Sequence, residues 1–335
     1  MINVAVIGLG YWGPNYVRIV NESVDCRLKW CCDKAEKNLE ILRRRDNIRV
    51  TTSYKDILED KEVDAVIIAT PTETHYKIAK DCLNAGKHVL VEKPLTLKSE
   101  ESKELIEIAG KKKKVLMVGH IFIFNEAVRK LKECVDSKEI GNVLYLHFSR
   151  TGLGPIRKDV NTLWDLATHD LSILLYLIKE KPLNIIARGE CYLQKDIEDV
   201  VFMTIECENK ILANLHVSWL DPYKVRTITV VGDKKMVVFD DISASEPIRL
   251  FDKGVSYLER GADYGKFKTL LRDGDIISPK IRGEEPLKRE FREFISSIME
   301  GRKPLTDGKS GYDVVKVAEA AQKSLKNGSV KIRIE

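Results

Sequence analysis

No uninterrupted apolar run of this 335-residue chain approaches the roughly 18 residues needed to cross a membrane as a helix. A secretory leader is not expected either, because residues 1–20 already read as the first strand and helix of a domain. A strong charge of one sign is also missing. The 56 basic side chains face 51 acidic ones, and a net charge of +5 gives no reason to expect nucleic acid as a partner. The one basic run, Lys111 to Lys114, closes a predicted helix, where cations complement the helix dipole. The seven cysteines, at 26, 31, 32, 82, 134, 191 and 207, form no C-x-x-C pair. Their odd number fits reduced thiols used as small core residues, and the ligand spacing of a zinc or other metal site is absent. No repeat and no low-complexity linker interrupts the chain. What remains is the composition of an ordinary globular protein, 44% hydrophobic and 32% charged. It is expected to be cytoplasmic, with no membrane partner and about two domains.

Against these absences one motif stands out. The apolar run Ile2–Ile7 reads as a buried strand and leads into Gly8-Leu9-Gly10-Tyr11-Trp12-Gly13. A helix follows over about 12–22. A second apolar run, Leu28–Cys32, ends in Asp33, twenty residues after Gly13. Strand, glycine turn, helix, strand and terminal carboxylate make up a dinucleotide-binding fingerprint. Gly8 allows the tight turn, Gly10 lets a pyrophosphate approach the backbone, and Gly13 lets the helix pack close. Asp33 hydrogen-bonds the adenosine ribose and favours NAD over NADP, whose 2′-phosphate would meet a like charge. The adjacent Lys34 softens that exclusion.

The first 120 residues alternate strands (2–7, 26–32, 64–69, 87–91, 115–118) with helices (12–22, 35–45, 54–58, 73–85, 98–110). That is the βαβ pattern of a Rossmann, doubly wound parallel sheet. After His120 the pattern changes. Helices are expected at 124–136 and 164–178, and strands at 143–150, 183–193, 198–207, 210–219, 224–231, 235–240 and 248–252. Residues 253–285 read as irregular, and helices return at 286–300 and 310–326, before an alternating tail, 329–334. The fold class is therefore α/β. Residues 1–120 form the dinucleotide-binding domain, and 121–335 form an α+β domain with a large open mixed or antiparallel sheet for substrate binding and oligomerisation.

Three further constellations carry chemistry. Thr70-Pro71-Thr72 ends the third main strand, and Thr72 to His75 opens the next helix; ligands of open α/β sheets bind at such carboxyl ends. Thr72 serves equally well as a plain helix cap. Glu92-Lys93-Pro94 ends the next strand, where the Lys93 charge can stabilise an oxyanion. In Trp164-Asp165-Leu166-Ala167-Thr168-His169-Asp170, Asp165 and His169 are four apart and share a helix face. His169 is a candidate general base, Asp165 orients it, Asp170 points elsewhere, and Trp164 packs.

Taken together, these motifs resemble the Gfo/Idh/MocA oxidoreductase family over the whole chain. The resemblance implies an NAD-dependent enzyme in which Lys93 and His169 flank the reacting sugar carbon, supported by Asp165. It implies cofactor contacts at Gly8, Gly10, Tyr11, Trp12, Gly13, Asp33, Thr70, Pro71, Thr72, His75, Glu92 and Lys93. Family members act on sugars, inositols, nucleotide-linked sugars or biliverdin. Gly119-His120-x-x-x-Phe124-Asn125 is similar to the subgroup acting at carbon 3 of nucleotide-linked amino sugars. Asn125, with Arg157 and Lys158 in the loop 151–162, joins Lys93, Asp165 and His169 as expected substrate contacts, the basic pair for a diphosphate. UDP-N-acetylglucosamine or its uronic acid is then the expected substrate, and a dimer or tetramer the expected assembly. The alternatives are a free-sugar or inositol dehydrogenase, and a non-catalytic NAD-sensing regulatory protein, which would have lost Lys93 or His169.

Overall fold

The computed structural model describes residues 1–43, 47–258 and 268–334. The chain forms two compact units, Met1–Phe124 with Glu284–Glu319, and Asn125–Gly283 with Ala320–Glu335. The first unit thus takes back a C-terminal segment that the expected division at residue 120 gave to the second domain. The reason lies in the helix Pro286–Glu300. Leu287, Phe291, Phe294 and Ile295 make one buried stripe. That stripe packs on the turn Ile121–Phe124 and the helix Gly13–Glu22, both within the first unit. Thr306 then bonds Val118 in both directions, at 2.7 and 2.8 Å.

The sheet of the first unit contains β1 (Ile2–Ile7), β2 (Cys26–Cys32), β3 (Arg49–Thr51), β4 (Ala65–Ile68), β5 (His88–Glu92) and β6 (Leu116–Gly119). Its order is β3-β2-β1-β4-β5-β6, and every pairing is parallel. β4 and β6 are buried throughout, as expected where helices cover both faces. Strand order reverses between β1 and β4, so a crevice opens there at the carboxyl ends. β3 went unread because Arg49-Val50-Thr51 has no apolar run; it exists through its ladder with Trp30, Cys31 and Cys32. The helix expected over 35–45 is a 3-10 turn, Glu36–Asn38, followed by a short helix, Glu40–Arg43; its end lies outside the described residues.

The second unit has a nine-stranded mixed sheet of β7 (Val143–Thr151), β8 (Pro182–Glu190), β9 (Val200–Cys207), β10 (Leu212–Ser218), β11 (Val225–Gly232), β12 (Met236–Asp240), β13 (Ile248–Leu258), β14 (Lys268–Ile277) and β15 (Ile332–Arg333). The order is β14-β13-β12-β11-β7-β10-β9-β8-β15, and β7 and β10 pair in parallel while the other ladders are antiparallel. One face is a core of Leu146, Phe148, Met203, Ile205, Leu215 and Val217. The reading of 253–285 as irregular holds for 278–285 and is corrected before it: β13 runs to Leu258 and β14 pairs with it, while 259–267 lie outside the described residues. Ile248 and Leu250 at the start of β13 are buried, but Leu271 in β14 is exposed. Their ladder is made by backbone hydrogen bonds that leave no hydrophobic alternation to read.

All seven cysteines are free thiols, and six of them are buried. Among the described residues no helix is long and apolar enough to cross a membrane, and no group of His, Cys, Asp and Glu is arranged to hold a metal ion.

Candidate functional site

In the first unit the three glycines have different neighbours. Gly8 has φ +93°, and a Cβ there would fall 2.5 Å from the Ala69 carbonyl oxygen at the end of β4. A Cβ on Gly13 would lie on the Gly8 carbonyl group. At Gly10, by contrast, no atom lies within 4 Å of the Cβ position. The protein itself demands two glycines; the third faces open space, where a pyrophosphate would need the backbone bare. The helix Gly13–Glu22 that follows has no side-chain cap and carries Pro14 in its first turn. Pro14 has no N–H and the Asn15 N–H bonds the Trp12 carbonyl at 3.0 Å, so what this end offers an anion is chiefly the helix dipole. Tyr11 is 86% exposed beside this turn, edge-on to half-buried Trp12 at 5.9 Å.

Asp33 is half-buried at the end of β2 and accepts the Leu9 N–H at 2.7 Å and the Ala35 N–H at 2.8 Å. The carboxylate therefore braces the glycine turn from behind. Each oxygen keeps a lone pair for a ribose hydroxyl.

At the end of β4, Thr70 and Pro71 lead into the turn Thr72–Thr74. Thr72 is buried and makes no side-chain cap; the Thr74 hydroxyl bonds the Pro71 carbonyl at 2.7 Å instead. His75 is buried, with Nδ1 2.8 Å from the Pro94 carbonyl and Nε2 2.9 Å from the Thr70 carbonyl. The ring is a strut between the β4 and β5 end loops.

Lys93 is half-buried at the carboxyl end of β5, and its bond to Pro94 is cis. Glu92 is likewise engaged within the unit. Its Oε1 accepts the Tyr16 hydroxyl at 2.7 Å and its Oε2 the Lys93 N–H at 3.2 Å, inside the unit. Burial raises the Glu92 carboxyl above its usual range, against the Tyr16 hydrogen bond and the Lys93 charge. His120 stands one residue beyond the Glu92–Gly119 pair of β5 and β6. Burial, then the charge of Lys93, push its imidazole down to about 3, so it is neutral at physiological pH.

In the second unit the Asp/His segment begins as a π-helix, Leu163–Ala167, and continues as the helix Thr168–Leu177. Such wide turns collect at functional sites. Asp165 accepts Arg157 Nη1 at 3.1 Å and the Trp219 indole N–H at 3.2 Å. His169 follows on the next turn, half-buried. Asp170 does point elsewhere: it takes a forked, buried ion pair from Arg150 of β7, at 2.7 to 3.0 Å. Trp164 is buried, with its indole N–H on Gln322 at 3.1 Å.

Two expected substrate contacts change. Asn125 Oδ1 accepts the Ala127 and Val128 N–H groups at 2.9 and 3.4 Å, so it caps the helix Glu126–Asp136. Arg157 holds Asp159 with Nε and Nη2, at 2.9 and 2.5 Å, besides Asp165. Its guanidinium holds the Asp165 carboxylate, and with two carboxylates already on it the group is a weaker site for a phosphate. Lys158 is exposed. Sequence reasoning missed Tyr16, Trp219 and Glu290. Glu290 was legible as an acid on the apolar stripe Leu287, Phe291, Phe294.

A parallel sheet with a glycine turn at its reversal point and a carboxylate at the next strand end, coupled to an open mixed sheet, defines a nicotinamide-dinucleotide oxidoreductase. Residues 2–120 match the NAD-binding Rossmann domain of that oxidoreductase family, and 128–238 match the GFO/IDH/MocA C-terminal domain. The chain belongs to the Gfo/Idh/MocA family, and its cofactor is NAD. It is 30% identical to UDP-N-acetylglucosamine 3-dehydrogenase of Acidithiobacillus ferrooxidans over 77% of each chain. It is 26% identical to myo-inositol 2-dehydrogenase of Thermotoga maritima over 97% of this chain and 96% of that one. GenD2 from gentamicin A biosynthesis, solved in complex with NAD, shares the fold at a TM-score of 0.84, with 24% identity over 100% of this chain and 96% of its own.

Proposed function

We propose that the protein transfers a hydride between NAD and a CH–OH carbon of a sugar or cyclitol, with Lys93, His169 and Asp165 as its working groups. The observation that carries the reading is Lys93 at the carboxyl end of β5, beside the strand whose end meets the glycine turn. NAD, held by the glycine turn and Asp33, supplies the hydride acceptor or donor. In oxidation His169 takes the hydroxyl proton, and Lys93 stabilises the alkoxide as it forms. In reduction His169 returns the proton. Asp165, itself held by Arg157 and Trp219, orients His169.

For the substrate we propose a UDP-linked amino sugar reacting at carbon 3, supported by the 30% identity with an enzyme of that name. The pairing of Arg157 with Asp159 and Asp165 favours a second reading, an inositol or other uncharged polyol. Turnover of UDP-N-acetylglucosamine, free hexoses and myo-inositol, each with NAD(H) and NADP(H), separates the two. Faster turnover of myo-inositol than of every UDP-sugar rejects the first reading. NAD(H) is expected to bind tighter than NADP(H), and Asp33→Ala to narrow the difference; equal affinities in the unmodified protein would refute the role of Asp33.

The uncovered face of the second unit's sheet carries Tyr145, Ile186, Phe202 and Leu212, 40 to 50% exposed, with Leu212 paired to Tyr145 across β10 and β7. We propose that a second copy of the chain covers this face, where the four large apolar side chains stand among Glu206, Asn214 and Thr204 as a mixed apolar and polar surface. A dimer or tetramer is expected in sedimentation, and Tyr145→Glu with Phe202→Glu should dissociate it. A monomeric unmodified protein would dismiss this surface.

A further inference from the structure

Three acidic oxygens converge in the interior of the first unit. The Tyr16 hydroxyl lies 2.7 Å from Glu92 Oε1 and 3.0 Å from Glu290 Oε1, and all three side chains are buried. A phenol has one proton to give. With both carboxylates ionised, one of the two O···O contacts would hold no hydrogen, and two negative charges would share a dry space. Paired carboxyls in that position keep a proton. Glu92 is the better anion, because its Oε2 accepts the Lys93 N–H at 3.2 Å and the Lys93 charge acts on it. Glu290 has neither advantage: its Oε2 is buried without a hydrogen-bond partner. The hydrogens then have one consistent order. Glu290 Oε1–H donates to Tyr16 Oη, and the Tyr16 O–H donates to Glu92 Oε1.

We propose that Glu290 is held as a neutral carboxylic acid and, through Tyr16, keeps Glu92 ionised behind Lys93, so that Glu290 and Tyr16 are positioning residues for the charge of the lysine. Burial raises the Glu290 carboxyl well above its usual range, and the charge of Glu92 adds to the effect. The Tyr16 phenol is raised for the same reasons. Moving both protons one step toward Glu92 would leave an anion on Glu290, which no donor meets at Oε2. The chain of hydrogen bonds therefore resists that shift, and Lys93 keeps its counter-charge and its proton to higher pH. His120, which burial and the Lys93 charge keep neutral, adds no counter-charge. The catalytic consequence rests on the reading of Lys93 given above; the protonation does not.

Infrared spectra of the full-length chain without cofactor test the protonation. A carboxylic-acid C=O band is expected at pH 8, lost in Glu290→Gln and kept in Glu92→Gln. No such band, or a band that Glu290→Gln leaves intact, overturns the proposal. Competitive acetylation of Lys93 with acetic anhydride across pH, read by peptide mass spectrometry, follows the lysine without any substrate. Tyr16→Phe and Glu92→Gln are expected to lower its titration by about one pH unit. Glu290→Gln, a neutral amide that still donates to Tyr16, leaves it in place. Equal shifts in Glu290→Gln and Glu92→Gln would show a charged Glu290 and also overturn the proposal. Should Tyr16→Phe not fold, Glu92→Gln carries the same comparison. Whether Lys93 acts in catalysis is judged separately, by the turnover of Lys93→Ala.

Discussion

Lys93→Ala and His169→Ala are each expected to lower turnover by about 10²–10⁴-fold while NAD binding survives. Lys93 stands at a strand end with its backbone N–H on Glu92 Oε2 at 3.2 Å, and in the proposed reaction its ammonium stabilises the oxyanion. Removing it leaves that oxyanion to water, whose dipoles must reorganise during the reaction. His169 follows Asp165 by one turn, and Asp165 is fixed by Arg157 and Trp219, so the imidazole is carried by a braced segment. In the proposed reaction both groups act on one hydroxyl. The double variant should therefore lose less than the product of the single losses. NAD is expected to be held mainly by the glycine turn and Asp33, so NADH fluorescence titrations should show binding retained, with at most a modest loss in Lys93→Ala, whose side chain is itself an expected cofactor contact. Near-normal turnover in either single variant removes that residue from the chemistry.

Gly13→Ala and Gly10→Ala are expected to fail in opposite ways. The Gly13 methyl would be driven into the Gly8 carbonyl, and the helix Gly13–Glu22 would have to move off β1. That helix brings Tyr16, Val17, Ile19 and Val20 to the core. A stability loss of about 1–3 kcal/mol follows from such overpacking, together with loss of NAD binding. The Gly10 methyl meets nothing within 4 Å. This variant should melt with the unmodified protein yet bind NAD at least about tenfold more weakly, a cost of roughly 1.4 kcal/mol, because the methyl takes the approach of the pyrophosphate. Unchanged NAD affinity in Gly10→Ala would place the pyrophosphate elsewhere. An undiminished melting temperature in Gly13→Ala would show that the turn can relax around the methyl.

Much of the first unit was legible without coordinates. Its strands are apolar runs buried on both faces, its helices repeat with period 3.6, and glycine, proline and acid occupy positions where backbone geometry admits few alternatives. β1, β2, β4, β5 and β6 and the helix Gly13–Glu22 lie within a residue or so of their expected bounds for that reason. The candidate site was legible to the extent that its residues sit at strand ends. Lys93 and Asp33 are where the alternation put them.

The remainder depends on contacts that no local pattern encodes. β3 and the outer part of the pair β13–β14 are made by ladder hydrogen bonds to neighbours, and in β13 it is Ile248 and Leu250 that are buried. The return of Glu284–Glu319 to the first unit depends on where one apolar stripe finds a matching surface. The partners of His75, Asn125 and Arg157, which make them a strut, a cap and a carboxylate clamp, appear only in the fold, because polar residues near a site look alike in sequence. By itself the sequence determined the dinucleotide fold, the NAD fingerprint and the identities of the residues able to do chemistry, since these follow from local geometry and periodicity. Only the tertiary structure brought Tyr16, Glu92 and Glu290 together, because a proton shared across 274 residues of chain separation depends on packing, and packing is a property of surfaces that meet only in the folded state.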